Sequence, residues 1–251
     1  MKILKFCRIL SFLFILIFCS TSAIAQSSVS VTGSADFVSR YLWRGLLLND
    51  APNIQPSISL SYSDLSFGFW GSYSLAKINN SGNNFESNQE LDTWLSYTLK
   101  LKSGINISAL LTDYYFPQGG IKIGNFNNYD NPNGAGAHTF EMGLLLKGNV
   151  SFPLSISGYI NIYNDSGNNS YFEIKYPLSI SNYDMDIFIG AAGGSKENPY
   201  YYGTGKFNVI NLGIALHREI KISNSFSIPI FVSYTLNPQA EISYLIFGLS
   251  I

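Results

Sequence analysis

Val29, Val31, Ala35, Phe37, Tyr41 and Trp43 fall on one parity of the chain, and Ser28, Ser30, Thr32, Asp36, Arg40 and Arg44 on the other. A period of two gives a β-strand one apolar and one polar face. In the next segment Ile54, Ile58, Leu60 and Tyr62 oppose Gln55, Ser57, Ser59 and Ser61. Ten more segments repeat the theme, near residues 65–75, 90–99, 105–112, 139–147, 154–162, 172–180, 184–191, 210–216, 225–235 and 245–251. In the tenth of the twelve, Ile210, Leu212, Ile214 and Leu216 are placed on the apolar face, and in the fourth Trp94 is an aromatic exception on the polar one.

Segments of about 10 residues suit tilted strands that cross a membrane, and an even number suits a closed bacterial barrel. The connections alternate in length. Those at 63–64, 100–104, 148–153, 181–183 and 220–224 are short, while 45–53, 77–88, 117–137, 164–169 and 195–206 are longer and rich in Asn, Gly and Tyr. This predicts an all-β fold: a transmembrane antiparallel up-and-down β-barrel of about twelve strands, with short turns at its periplasmic end and long loops outside. Asn237-Pro238-Gln239 is too brief for that rule. Tyr41, Trp43, Tyr73, Tyr115 and Tyr234 would form the outer aromatic girdle and Tyr62, Phe67 and Tyr97 the inner one. Pro56, Pro177 and Pro229 lie inside or beside strands of a structure with no free edge, where a missing donor is costly.

The ends and the composition specify the compartment. Lys2, Lys5 and Arg8 precede an apolar run from Ile9 to Phe18, and Ala23-Ile24-Ala25 follows. This is the layout of a secretory signal, expected to be cleaved before Gln26 so that residues 26–251 form the barrel domain. Cys7 and Cys19, the two cysteines of the chain, fall in the expected signal segment, so the mature chain has no disulfide or thiolate chemistry. Charged residues are 12% of the sequence, against roughly 25% in soluble globular proteins, so part of the surface must face something other than water. Without the three basic residues of the signal, 12 basic residues face 16 acidic ones, for a net charge of −4 and no basic run. Nucleic acid is excluded as an expected partner. Beyond residue 25 no apolar stretch is long enough for a membrane helix, which leaves the closed barrel as the spanning solution.

Phe247-Gly248-Leu249-Ser250-Ile251 resembles the terminal signal by which barrel-assembly machinery recognises its clients, with Ile where Phe is usual. Asp36-Phe37-Val38-Ser39-Arg40-Tyr41-Leu42-Trp43-Arg44-Gly45 resembles the opening motif of the TorF-type porins and their outer-membrane relatives. Gln55-Pro56, then Gly68-Phe69-Trp70-Gly71-Ser72, then Glu90-Leu91-Asp92 follow in the order found in such proteins. The resemblance implies a barrel in the cell outer membrane and a pore for small solutes, with outer-membrane lipid as its surroundings. It brings no catalytic residues and no cofactor.

On the assigned parity Asp36, Arg40, Arg44, Glu90, Asp92, Glu141, Lys147, Glu173, Lys175, Asp184 and Asp186 are the candidate pore-lining residues. Asp36, Arg40, Glu90 and Asp92 would form a constriction that sets solute preference, as rings of charge do in narrow pores. Equally, such charges can form salt bridges that close the interior, and the 117–137 loop, with Gly119-Gly120 and Asn127-Asn128, offers a plug. Two rival classes carry weaker signals. A lipid-modifying enzyme would need a His beside a Ser nucleophile, and His138 at the outer rim has no accompanying serine motif. His217 near an inner turn reads as an ordinary solvated residue, and two histidines so far apart suggest no metal site. A binding or adhesion barrel would use Asn198-Pro199-Tyr200-Tyr201-Tyr202 as an exposed contact surface.

Overall fold

The computed structural model describes residues 28–76, 89–127, 136–165, 167–181, 183–194, 202 and 205–251. The expected signal segment and its cleavage site, Asn128, and Asn198 to Tyr201 lie outside the described residues. Among the described residues fourteen strands are formed: β1 (Val29–Val38), β2 (Tyr41–Trp43), β3 (Leu46–Asn49), β4 (Asn53–Tyr62), β5 (Leu65–Ser74), β6 (Gln89–Lys100), β7 (Asn106–Tyr115), β8 (His138–Lys147), β9 (Ser155–Tyr163), β10 (Ser170–Ile180), β11 (Tyr183–Gly193), β12 (Asn208–Lys221), β13 (Ser227–Asn237) and β14 (Ile242–Ser250). Twelve of them close into an antiparallel barrel of sequential hairpins. β1 is paired with β4 on one side and β14 on the other, and β2 and β3 form a separate two-stranded sheet.

The alternation in the sequence is the cause of this wall. Ile58 pairs with Phe69 and Ile174 with both Ile156 and Ile189, so apolar side chains gather on one surface of the sheet. That surface points outward, where Ile58, Leu60, Leu144 and Phe247 are exposed. A continuous apolar belt of this kind cannot be stable in water and is what a bilayer requires of a barrel. An arginine at Ile189, mid-strand on this belt, is expected to cost about 2–4 kcal/mol in urea unfolding from lipid vesicles, whereas Ser59→Arg on the inward face stays well below that.

Three departures from strict alternation have local causes. β4 and β5 lose their ladder at Gln55 and Pro56; Pro177 lies beyond the last β10 residue paired with β9, and Pro229 beyond the first β13 residue paired with β14. Each proline therefore stands where the ladder on one side is absent, and its missing N–H breaks nothing. The last hairpin closes through 238–241, with the Ala240 amide donating to Asn237 Oδ1 at 3.1 Å; it is simply a short connection at the long-loop end. In β12 the register shifts where Gly190 pairs with Asn211 and Ala191 with Val209. The bulged residue is Ile210, which is fully buried rather than on the outward face expected from parity. A bulge inserts one residue and re-aims its side chain, which is why the alternation fails there.

A larger departure follows β1. The first segment does not continue to Arg44, because the chain bends at Ser39 and Arg40 and leaves the wall. Tyr41 and Trp43 are consequently not girdle residues; they belong to the β2–β3 hairpin, which folds into the barrel. Tyr73 and Tyr234 are exposed on the outward face near the long-loop end, and Tyr62 and Phe67 near the other. The molecule's buried cluster of Tyr171, Ala192, Tyr202 and Ile210, with Trp43, Leu46 and Tyr159 against it, joins the hairpin to the β9–β12 wall. Inward side chains at that level, such as Gln55, Ser72, Thr112, Asn161 and Thr235, are buried, whereas Ser59, Ser61, Ser96 and Thr98 towards the short-turn end are only half-buried. The lumen is filled in its long-loop half and open in the other.

Candidate functional site: a hairpin across the lumen

Tyr41-Leu42-Trp43-Arg44-Gly45-Leu46-Leu47-Leu48 is too apolar for a solvent loop, and the fold buries it inside the barrel. Trp43 pairs with Leu46, leaving Arg44 and Gly45 as a two-residue turn with φ of 51° and 79°. Positive φ at both positions is the requirement of a type I′ hairpin. Gly45 satisfies it freely, and a Cβ there would also collide with the backbone carbonyl of Ile210. Arg44 takes the left-handed conformation at a cost of about 1–2 kcal/mol, which its contacts must offset.

Those contacts are extensive. Arg44 Nη1 and Nη2 donate to Glu141 Oε2 and Oε1 at 2.5 and 2.8 Å, and Nη1 also donates to the Tyr202 hydroxyl at 2.7 Å. The Tyr114 hydroxyl donates to Glu141 Oε1 at 2.9 Å. Around the guanidinium stand three rings, with its carbon 4.4, 4.2 and 4.7 Å from the centroids of Trp43, Tyr159 and Tyr171. Tyr171 lies over Gly190, whose missing side chain leaves room for the phenol. The tip is tied to the wall once more, where Asn237 Nδ2 donates to the Gly45 carbonyl at 3.0 Å. Burial works against the Arg44 charge, but the hydrogen bonds to Glu141 outweigh it and hold the group above its ordinary value. Burial pushes the Tyr202 phenol up against the pull of Arg44, and it pushes up Tyr41 beside Glu90 and Asp92.

Arg44 and Glu141 thus meet inside the barrel, against the β8–β10 wall and 97 residues apart in sequence. The other candidate charges are spread along the lumen. Arg40 pairs with Asp50 at the base of the hairpin at 3.2 Å, and lines, with Asp92, Glu173 and Lys175, a cavity of about 750 Å³ beside Arg44. Glu90 is buried next to Asp92 on β6. Asp36 is at the β1–β14 seam, where it accepts from Ser250 Oγ at 2.6 Å. Glu173 accepts from the Tyr171 hydroxyl at 2.6 Å and lies 4.0 Å from Lys175, itself 3.9 Å from Asp186. Asp184 accepts from Ser179 Oγ, and Lys147 is exposed at the end of β8; both are at the short-turn end.

The residues that complete the site, Tyr114, Tyr159, Tyr171 and Tyr202, were not among the candidate pore-lining residues. Tyr114, Tyr159 and Tyr171 are aromatics on polar parity, the same signal that marked Trp94. Tyr202 belongs to the tyrosine-rich loop expected outside, yet its side chain is buried in the lumen. The described part of the 117–137 loop contributes no plug: Gly120, Ile123 and Phe126 are exposed. Phe126 stacks at 4.1 Å on His138, whose Nδ1 meets the Asp113 carboxylate at 2.9 Å and whose Nε2 meets the Ile123 carbonyl at 2.6 Å. Both ring nitrogens are committed, and the residue acts as a clamp on that loop. His217 Nε2 is 3.7 Å from Asp186 and half exposed.

Fold and interior together define a porin-like barrel of twelve strands whose lumen is crossed by an inward hairpin. Residues 22–226 match the family described as bacterial protein of unknown function (Gcw_chp), and the chain belongs to that family. Among solved structures it is similar to the KdgM porin, with 11% identity and a TM-score of 0.50 over 86% of this chain and 97% of that one. It also matches a Salmonella typhi OmpF complex with daunomycin, with 9% identity and a TM-score of 0.41 over 89% of this chain and 97% of that one. Among curated proteins, none matches the sequence.

Proposed function

We propose that the processed chain, from about residue 26, resides in the outer membrane and passes small polar solutes passively through a lumen narrowed by the 41–49 hairpin. The observation that carries this reading is the contrast between the two halves of the interior. The short-turn half is lined by half-buried serines, and a charged, aromatic constriction is set in the long-loop half by one hairpin that has no ladder to the wall. A barrel that served only as a membrane anchor has no need of a wet lumen, and twelve strands enclose more space than the eight that side chains alone can fill. The likeness of the first strands to TorF-type porins supports the same reading. Outer-membrane lipid and, during insertion, the barrel-assembly machinery are the partners it implies. Asp36, Arg40, Arg44, Glu90, Asp92, Glu141, Glu173 and Lys175 are proposed to shape ion preference, with Arg44 and Glu141 at the narrowest point.

Refolded protein in planar bilayers tests this. Small, discrete conductance steps are expected, with Arg40→Ala shifting the reversal potential in a salt gradient. Silence from the natural chain and from a hairpin-opened variant alike would overturn the channel reading in favour of a binding or structural barrel.

A further inference from the structure

The surroundings of Arg44 have the composition of a ligand site rather than of a salt bridge alone. Glu141 faces the guanidinium edge with both oxygens, the Tyr202 hydroxyl accepts a further hydrogen bond, and Trp43, Tyr159 and Tyr171 lie within 4.2–4.7 Å of its carbon. A carboxylate met by two parallel N–H donors selects a planar guanidinium over an ammonium ion, and the aromatic faces on either side give it a surface to stack on. We infer that this box is a binding site for guanidinium-bearing solutes, and that Arg44 occupies it as a built-in substitute when no solute is present. The inference rests on the channel reading for its role in transport, but the binding itself does not.

Three further observations support it. The occupant is borne on a hairpin that shares no ladder with the wall and is tied at its tip by a side-chain hydrogen bond from Asn237, so its departure breaks no strand pairing. The cavity of about 750 Å³ opens directly onto Trp43, Arg44 and Tyr114, and this volume lies in the range of small-molecule sites. Finally, Asp92 lines that cavity and keeps one buried oxygen, Oδ1, without a hydrogen-bond partner, while its neighbour Glu90 is hydrogen-bonded to it and to Tyr41. An acceptor left open near the entrance suits a solute rich in N–H donors, even with Arg40 and Lys175 on the same lining. A solute that takes the place of Arg44 releases the hairpin, so the molecules able to loosen the constriction are those that imitate the residue holding it.

The test uses the refolded processed chain in detergent micelles and methylguanidinium chloride at millimolar concentration, followed by titration calorimetry. R44A, in which Glu141, Tyr159, Tyr171 and Tyr202 remain as the box when the hairpin bearing Trp43 withdraws, is expected to bind one equivalent saturably. The natural chain should bind roughly tenfold or more weakly, because its own arginine competes. Binding should vanish in R44A/E141Q, and tetramethylammonium or urea should not replace methylguanidinium. If R44A does not refold, R44Q, which retains a hydrogen-bonding group without charge, takes its place under the same criteria. No saturable heat in the emptied variant, or equal heat after the Glu141→Gln change, would overturn the inference. Loss of conductance in every variant would remove the channel reading and leave a positive binding result standing.

Discussion

Replacing Arg44 with Ala is expected to raise the single-channel conductance several-fold above that of the natural chain. Truncating one member of a buried, hydrogen-bonded ion pair costs about 3–5 kcal/mol, because the partner is left charged and desolvated. Here Glu141 is that partner, almost wholly buried, and the Tyr114 hydroxyl is the remaining donor facing it. The hairpin can relieve the penalty by swinging away and admitting water, so the lost energy appears as displacement of the plug rather than as unfolding of the wall. A change of this size shifts the docked-to-undocked ratio by roughly two to four powers of ten. Loss of the contacts with Trp43, Tyr159 and Tyr171 acts in the same direction. Thermal unfolding of the β-signal by circular dichroism should change little, since no wall strand pairs with β2 or β3. Arg44→Lys should fall between the two, keeping the charge but not the bidentate fork.

Gly45→Val should open the lumen to a similar degree while leaving Arg44 in place. A Cβ at this position runs into the carbonyl of Ile210, which is backbone on a wall strand and has no freedom to yield. The φ of 79° adds strain for any residue with a side chain. The tip must therefore retreat, drawing Arg44 off Glu141 and Trp43 away from its stack on Tyr202. Conductance reports the opening, and a red shift of tryptophan emission reports the wetting of Trp43. Natural conductance in this variant would show that the hairpin tip does not approach the wall so closely. Because R44A and G45V act on adjacent residues through unrelated physics, agreement between them assigns the effect to the hairpin's position and not to the arginine's charge.

The wall was legible in the sequence because a barrel with an apolar outside and a polar inside imposes a strict period of two, and the outward residues obey it nearly everywhere. The rule loses its meaning where the chain leaves the wall. Tyr41 and Trp43 keep the parity of β1 but face the interior, because after Ser39 and Arg40 no lipid stands on either side of them. Ile210 is misplaced by a single bulged residue, which alternation cannot foresee. Arg44 and Glu141 were both recognisable as lumen charges, but nothing local joins residues on a hairpin tip and on β8. Tyr202 is a loop residue whose neighbours carry no period at all. Two signals nevertheless pointed inward: the apolar run on either side of Arg44, which has no place in an exposed loop, and the tyrosines at 114, 159 and 171 on faces otherwise given to Ser, Asn and Glu.

The central claim is that the 41–49 hairpin lies inside the barrel over a buried wall while the rest of the lumen is wet. Single cysteines placed in residues 26–251, which contain none of their own, test it through their reaction rates with a small charged thiol reagent in lipid vesicles. Thr235→Cys, inward and beneath the hairpin, should react slowly in the natural background and many times faster with R44A. Ser59→Cys, inward in the open half, should react rapidly in both, and Ile58→Cys, outward on the belt, in neither. Rapid labelling at position 235 with Arg44 intact, or labelling at 58 that matches 59, would contradict the account.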